Sequence, residues 1–153
     1  MKIRILCVGK VKEAFYRKQI EEYAVRIRKQ HSFEIIEVED EKTEEHMSEI
    51  QRRKVLELEG NRLLKYLERR PEELVAALCI EGKLYSSQAW RKQLQEQIRQ
   101  RELQQITYVI GGSLGLDASV LRQADQHLSF SRLTFPHQLM RVLLTEQIAC
   151  HYL

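Results

Sequence analysis

Ile110-Gly111-Gly112-Ser113-Leu114-Gly115 and, one short segment later, Leu128-Ser129-Phe130-Ser131-Arg132-Leu133-Thr134-Phe135-Pro136-His137-Gln138 each carry an apolar run into a loop. Two adjacent glycines directly after Tyr108-Val109-Ile110 weaken a strand end unless something must approach the backbone closely. Pro136, at the head of an apolar-periodic stretch, marks a helix start. Two neighbouring strand-end loops of this kind can form one pocket whose ligand is gripped by main-chain N–H and C=O groups.

Outward from these loops, apolar runs of strand length alternate with amphipathic stretches of helix length. The runs Lys2 to Val8, Phe33 to Val38, Leu74 to Ile80, Ile106 to Ile110 and a short Leu128 to Phe130 are expected strands. Lys12 to Lys29, Ser48 to Glu68, Ser87 to Arg99, Ala118 to Asp125 and a last stretch from Pro136 onward are expected helices, with Ser86 or Ser87 and Asp117 as N-caps. Successive βα units of this kind predict an α/β fold, a mostly parallel five- or six-stranded sheet with helices on both faces. No repeat, low-complexity tract or Pro/Gly-rich linker interrupts the chain, so residues 1–153 are expected to form one domain. The loop from Glu39 to Met47 is expected to be mobile.

The net charge of +3 conceals an uneven distribution. Residues 1–30 hold nine Lys or Arg against Glu13, Glu21 and Glu22, whereas residues 31–59 hold four basic side chains against ten acidic ones. The basic third could face phosphates through Lys10, Lys12, Arg17 and Lys18, or be an ordinary solvated helix face. The acidic run Glu37 to Glu45 lacks the spacing of a calcium loop. No stretch approaches the ~20 apolar residues that cross a bilayer, and the N-terminus alternates charge with apolar residues, so a cytoplasmic protein without a membrane partner is expected. Cys7, Cys79 and Cys150 are odd in number and far apart, which offers neither a disulfide framework nor a metal site; Cys7 and Cys79 are expected in the core.

Several chemistries are excluded by motif. The first strand candidate is followed by Val8-Gly9-Lys10-Val11-Lys12, with one glycine where a dinucleotide fold needs three. Walker A, zinc-ligand spacing and the G-x-S-x-G elbow are all missing. In an open α/β sheet ligands sit beyond the carboxyl ends of the strands, here at Glu81-Gly82-Lys83, the Gly-Gly turn and Ser131 to Phe135. Such a cleft suits a partly flat, apolar ligand such as a nucleoside.

These motifs, with Ile35-Ile36-Glu37-Val38 and Glu59-Gly60, resemble those of the small SPOUT-class RNA methyltransferases of the RlmH type, over Met1 to about Ile148. The resemblance implies S-adenosylmethionine as cofactor and, as reaction, methylation at N3 of a pseudouridine in large-subunit ribosomal RNA, acting on that RNA or on the assembled ribosome. It implies that Leu78, Gly111, Phe130, Ser131, Arg132, Leu133, Thr134 and Phe135 hold the cofactor. Read by themselves, Leu78, Phe130, Leu133 and Phe135 are core residues. A C-terminal trefoil knot and a homodimer around the pocket follow from the resemblance alone, and no metal is called for because the cofactor carries the leaving group.

His137, Arg141 and Thr145 recur every fourth residue and form one polar stripe beside Leu139, Met140, Leu143, Leu144 and Ile148. The stripe reads as a solvated face; alternatively, His137 and Arg141 line the RNA side of the pocket. N3 methylation removes a weakly acidic ring proton, so His137 is the candidate base or orienter and Arg141 its electrostatic partner. In the family a basic, aromatic tail helps build the substrate side, which Ala149-Cys150-His151-Tyr152-Leu153 resembles only in composition. The competing expectations are therefore a catalytically weakened relative that binds cofactor or RNA without methyl transfer, or a nucleotide-binding module of another kind.

Overall fold

The computed structural model describes residues 1–152 and runs β1 (Lys2–Val8), α1 (Ala14–Arg28), β2 (Ser32–Val38), α2 (Glu49–Leu64), β3 (Glu73–Leu84), α3 (Ser87–Arg101), β4 (Gln105–Ile110), α4 (Ala118–Gln123), β5 (Gln126–Ser129) and α5 (His137–His151). The five strands form one sheet in the order β2-β1-β4-β3-β5, and every pairing is parallel. Alternation along the strands divides the core. Ile3, Ile5, Cys7, Ile106 and Tyr108 pack with α1, α3 and α5, while Leu6, Val8, Val75 and Val109 pack with α2 and α4 on the other face. Cover on both faces explains why these strands read as near-continuous apolar runs.

Helix starts differ in how legibly they are written. Ser48 begins α2 with a reciprocal capping box, its hydroxyl accepting from the Gln51 N–H at 3.1 Å while the Gln51 side chain accepts from the Ser48 N–H at 2.8 Å. Ser86 caps α3 and Asp117 caps α4. By contrast α1 has no side-chain cap, and the helix begins at Ala14 instead of Lys12. The loop expected to be mobile is tied down over its first half: the Arg62 guanidinium donates to the Glu39 carbonyl at 2.9 Å and pairs with Glu41 at 2.9 Å, and Thr43 and Ser113 hydroxyls meet at 3.3 Å.

The largest departure from the expected boundaries is β3, which extends to Leu84. Its pairing with β5 is interrupted: Leu78 and Lys83 both stand opposite Leu128, so residues 79–82 loop out between them. A methyl group on Gly82 would fall 2.7 Å from the backbone of His127 and Leu128. Only a residue without a side chain lets the strand rejoin β5 there. Cys79, expected in the core, is half-buried because it opens this excursion, whereas Cys7 is buried, with its thiol pushed up to about 12 by burial.

After β5, at one edge of the sheet, the chain returns so that α5 lies against α1 and contacts α3 and β4. At its far end Tyr152 packs edge-on to Trp90 and His31, each at a centroid distance of 6.1 Å, and its hydroxyl receives a hydrogen bond from Tyr108 at 3.3 Å. Gly82→Ala is expected to destabilise the fold by about 1–3 kcal/mol, the usual cost of overpacking, in chemical denaturation. Unchanged stability would show that β5 can move aside freely.

Candidate cofactor cleft

The strand order places the carboxyl ends of β4, β3 and β5 side by side, and the loops leaving them carry most of the residues singled out in the sequence. At the end of β4, Gly111 and Gly112 enter a tight turn closed by an antiparallel bridge between Gly112 and Gly115. The Gly115 N–H donates to the Gly112 carbonyl at 3.1 Å, and Gly115 itself has a φ of 87°, in the left-handed region. A methyl group on Gly111 would lie 2.3 Å from the Gly115 carbonyl oxygen. The close approach that demands glycine here is therefore made by the turn itself.

The segment after β5 is shaped by its serines. Ser129 Oγ donates to the Ser131 carbonyl at 3.0 Å, and Ser131 Oγ accepts from the Leu133 N–H at 2.9 Å. The Arg132 guanidinium donates to the Ile80 carbonyl and fastens the segment to the loop that leaves β3. Phe130 and Phe135 are half-buried, Ser131 likewise, while Arg132, Leu133 and Thr134 are exposed. Leu133, read by itself as a core residue, is 68% exposed. Leu78 is buried in β3 opposite Leu128.

A cavity of about 310 Å³ opens beside this segment. Its walls include Trp90, Phe130, Phe135 and Leu143, with Ser87 and Gln147 as polar groups joined by a 2.8 Å hydrogen bond. Trp90 meets Phe130 edge-on at 6.0 Å. Among the described residues no charged side chain lines the cavity, and its volume lies at the lower end of the ~300–1,000 Å³ usual for small-molecule sites. Uncharged, partly aromatic walls fit the flat, neutral adenosine part of S-adenosylmethionine. Phe130 and Phe135 share this cavity; Leu78 and Gly111 occupy adjoining strand ends and are not part of its lining. Sequence reading missed Trp90, Leu143 and Gln147, whose spacing on α3 and α5 is that of ordinary amphipathic helices.

His137 and Arg141 stand elsewhere, over the ends of β1 and β2. Arg141 is 1% exposed. Its guanidinium pairs with Glu37 at 2.6 Å and donates to the Gly9 carbonyl at 3.0 Å, while Thr145, also buried, donates to the Arg141 carbonyl at 3.0 Å. The polar stripe of α5 thus faces inward, against the expectation of a solvated face, because this cation finds a carboxylate and carbonyls beneath it. Arg141 reaches no open surface, so its influence on chemistry passes through its neighbours. His137 is half-buried. Burial, then the Arg141 cation, hold its imidazole below the ordinary 6.5; Lys12 acts in the same direction and Asp40 against it. The Lys12 N–H donates to Gln138 Oε1 at 3.0 Å, docking the first turn of α5 on the loop after β1.

Among the described residues, no group of three or more His, Cys, Asp or Glu could hold a metal ion, and no helix is long and apolar enough to cross a membrane.

A parallel sheet covered by helices, with an uncharged aromatic cavity beyond the ends of β3 and β5, is the architecture of an α/β ligand-binding protein, and comparison gives the class: residues 1–150 match the family model described as "Predicted SPOUT methyltransferase". The chain belongs to the SPOUT methyltransferase family. It is 47% identical over 148 residues to a protein of Streptococcus uberis and 50% identical over 151 residues to one of Bifidobacterium animalis subsp. lactis, both named "Ribosomal RNA large subunit methyltransferase H". Each match covers 97% of this chain and 91% of the relative. Among solved structures, a putative methyltransferase of Legionella pneumophila in complex with bound SAM has a TM-score of 0.52 at 11% identity, and a probable methylase family protein of Haemophilus influenzae has 0.51 at 13%. These two likenesses cover 97% and 98% of this chain but only 66% of each of those chains, and they bear on the fold alone.

The His137 titration followed by NMR is expected to have its midpoint below 6.5. Because folding lowers this value, the stability His137 contributes is present above the unfolded value near 6.5 and is lost as pH falls through the folded midpoint. Wild type should therefore lose more stability than His137→Gln between about pH 7 and about pH 5. Arg141→Met is expected to cost on the order of 2 kcal/mol, less than the ~3–5 for a fully buried pair because the Glu37 side chain is 36% exposed.

Proposed function

We propose that this chain transfers a methyl group from S-adenosylmethionine to large-subunit ribosomal RNA, at N3 of a pseudouridine. The observation that carries the reading is the uncharged aromatic cavity beside the serine-folded segment after β5, in a chain whose relatives are named as large-subunit ribosomal RNA methyltransferases; the N3 position on a pseudouridine rests on the family resemblance. Phe130 and Phe135 would flank the flat part of the cofactor, and the main chain of Ser131 to Phe135, with Leu78 and Gly111, would supply its polar contacts. When bound, the cofactor supplies an electrophilic methyl on a sulfonium.

The protein's share of the chemistry is then positioning and proton removal. His137, held neutral near pH 7 by burial and by Arg141, is suited to accept the N3 proton. Arg141 positions it by fixing α5 on Glu37 and Gly9. Lys10 and Lys12, on the same loop, would meet the RNA backbone. The reading extends to a cytoplasmic homodimer and a trefoil knot in the return of the chain from β5 to α5; both come from the family. No observation among the described residues favours the weakened relative.

Incubation with ribosomes and methyl-labelled S-adenosylmethionine is expected to label the large-subunit RNA, and His137→Gln should lower the transfer rate by about 10²–10⁴-fold, the range for losing a general base, with cofactor affinity retained. Calorimetric cofactor binding without label transfer by the wild type would overturn the enzymatic reading. Trp90→Ala is expected to weaken cofactor binding by at least tenfold, the loss of ~1.4 kcal/mol of contact.

A further inference from the structure

The Glu59-Gly60 pair stands out in the sequence, and neither residue is used by the chemistry above. Both lie on the buried face of α2. Glu59 is 3% exposed, an uncommon place for a carboxyl group with no cation bonded to it. One of its oxygens, Oε2, accepts from the Glu41 N–H at 2.9 Å, while Oε1 is buried with no hydrogen-bonding partner among the described residues. Both oxygens lie against the Gly-Gly turn: a methyl group on Gly112 would come within 3.2 Å of Oε1 and 3.4 Å of Oε2. Gly60 lets the same helix close on the start of α4, two residues beyond that turn, since a methyl group there would sit 3.0 Å from the Asp117 Cβ.

On its other side, Glu59 holds the loop that bears Asp40, Glu41 and Thr43. Asp40 lies beside Gly9, 3.6 Å from where a methyl group on that glycine would be, and its charge is felt by His137. Thr43 reaches across to Ser113 in the Gly-Gly turn. One carboxyl group therefore touches the turn at the end of β4 and the loop that closes the His137 side. Burial raises the proton affinity of Glu59, so a neutral isostere would be easier to accommodate.

We propose that Glu59 is a positioning residue that locks the Gly111–Gly115 turn to the loop of residues 39–43, setting the cofactor side and the substrate side of the cleft in one fixed relation. The link to cofactor rests on the function proposed above; the mechanical link between turn and loop does not.

The test combines hydrogen exchange and calorimetry on the full chain. In Glu59→Ala, amides of residues 39–43 and of 111–116 are expected to lose protection together while β1 and β4 keep theirs. S-adenosylmethionine affinity should fall at least tenfold in protein that still melts cooperatively. Glu59→Gln, which keeps volume and an acceptor for the Glu41 N–H, should recover to within threefold of wild type. Gly112→Ala, which presses on the carboxylate as well as on Val8, should reproduce the exchange pattern, and Glu59→Ala combined with it should show less than the product of the two losses, since truncation makes room for the methyl group on the carboxylate side. Loss of protection in only one of the two segments, or independent effects in the double variant, would overturn the proposal. If wild type binds no S-adenosylmethionine, the proposed function fails while the exchange experiment still decides the lock.

Discussion

A single guanidinium fixes where the last helix of the chain begins. Arg141 is drawn under the surface by Glu37 and by the Gly9 carbonyl, so α5 must start above the ends of β1 and β2, although the strand before it lies at the opposite edge of the sheet. The seven residues between β5 and α5 are consequently stretched across the strand ends, which makes them the natural cover for anything bound there. Had this ion pair been apolar, packing of Leu144 and Ile148 would still favour α5 against α1, but nothing directional would fix its first turn.

The rest of the cleft is built by close backbone approach. A methyl group has no room on Gly82 against the backbone of Leu128 or on Gly111 against the Gly115 carbonyl, and on Gly112 it would press on the Glu59 carboxylate and on Val8. The first holds β3 against β5, the second closes the turn after β4 on itself, and the third seats that turn on α2 and β1. Fits of this kind, together with the Ser129, Ser131 and Arg132 hydrogen bonds, hold the backbone of these loops in place.

How much of this could be read in the sequence follows from the range of the forces involved. The strand centres and the helix faces are written locally, in short apolar runs and in a helical period, and Ser86 and Asp117 announce their helices. The start of α1 is not written at all, for want of a cap. The second half of β3 looks like a loop, because Glu81-Gly82-Lys83 is polar and carries glycine; what extends the strand is Leu128, far along the chain. Arg141 reads as a surface residue for the same reason, its partners lying 104 and 132 positions away. The loops of the cleft were legible by motif, whereas its walls, Trp90 and Gln147, became recognisable only once α3 and α5 were set side by side.

The chain has one tryptophan, and it stands in the wall of the aromatic cavity, edge-on to Phe130 on one side and to Tyr108 and Tyr152 on the others. All indole fluorescence from this molecule therefore originates at that wall. Emission wavelength and quenching, excited beyond the tyrosine band, are a built-in optical reporter of what enters the cavity, with no dye attached and no second indole in the chain.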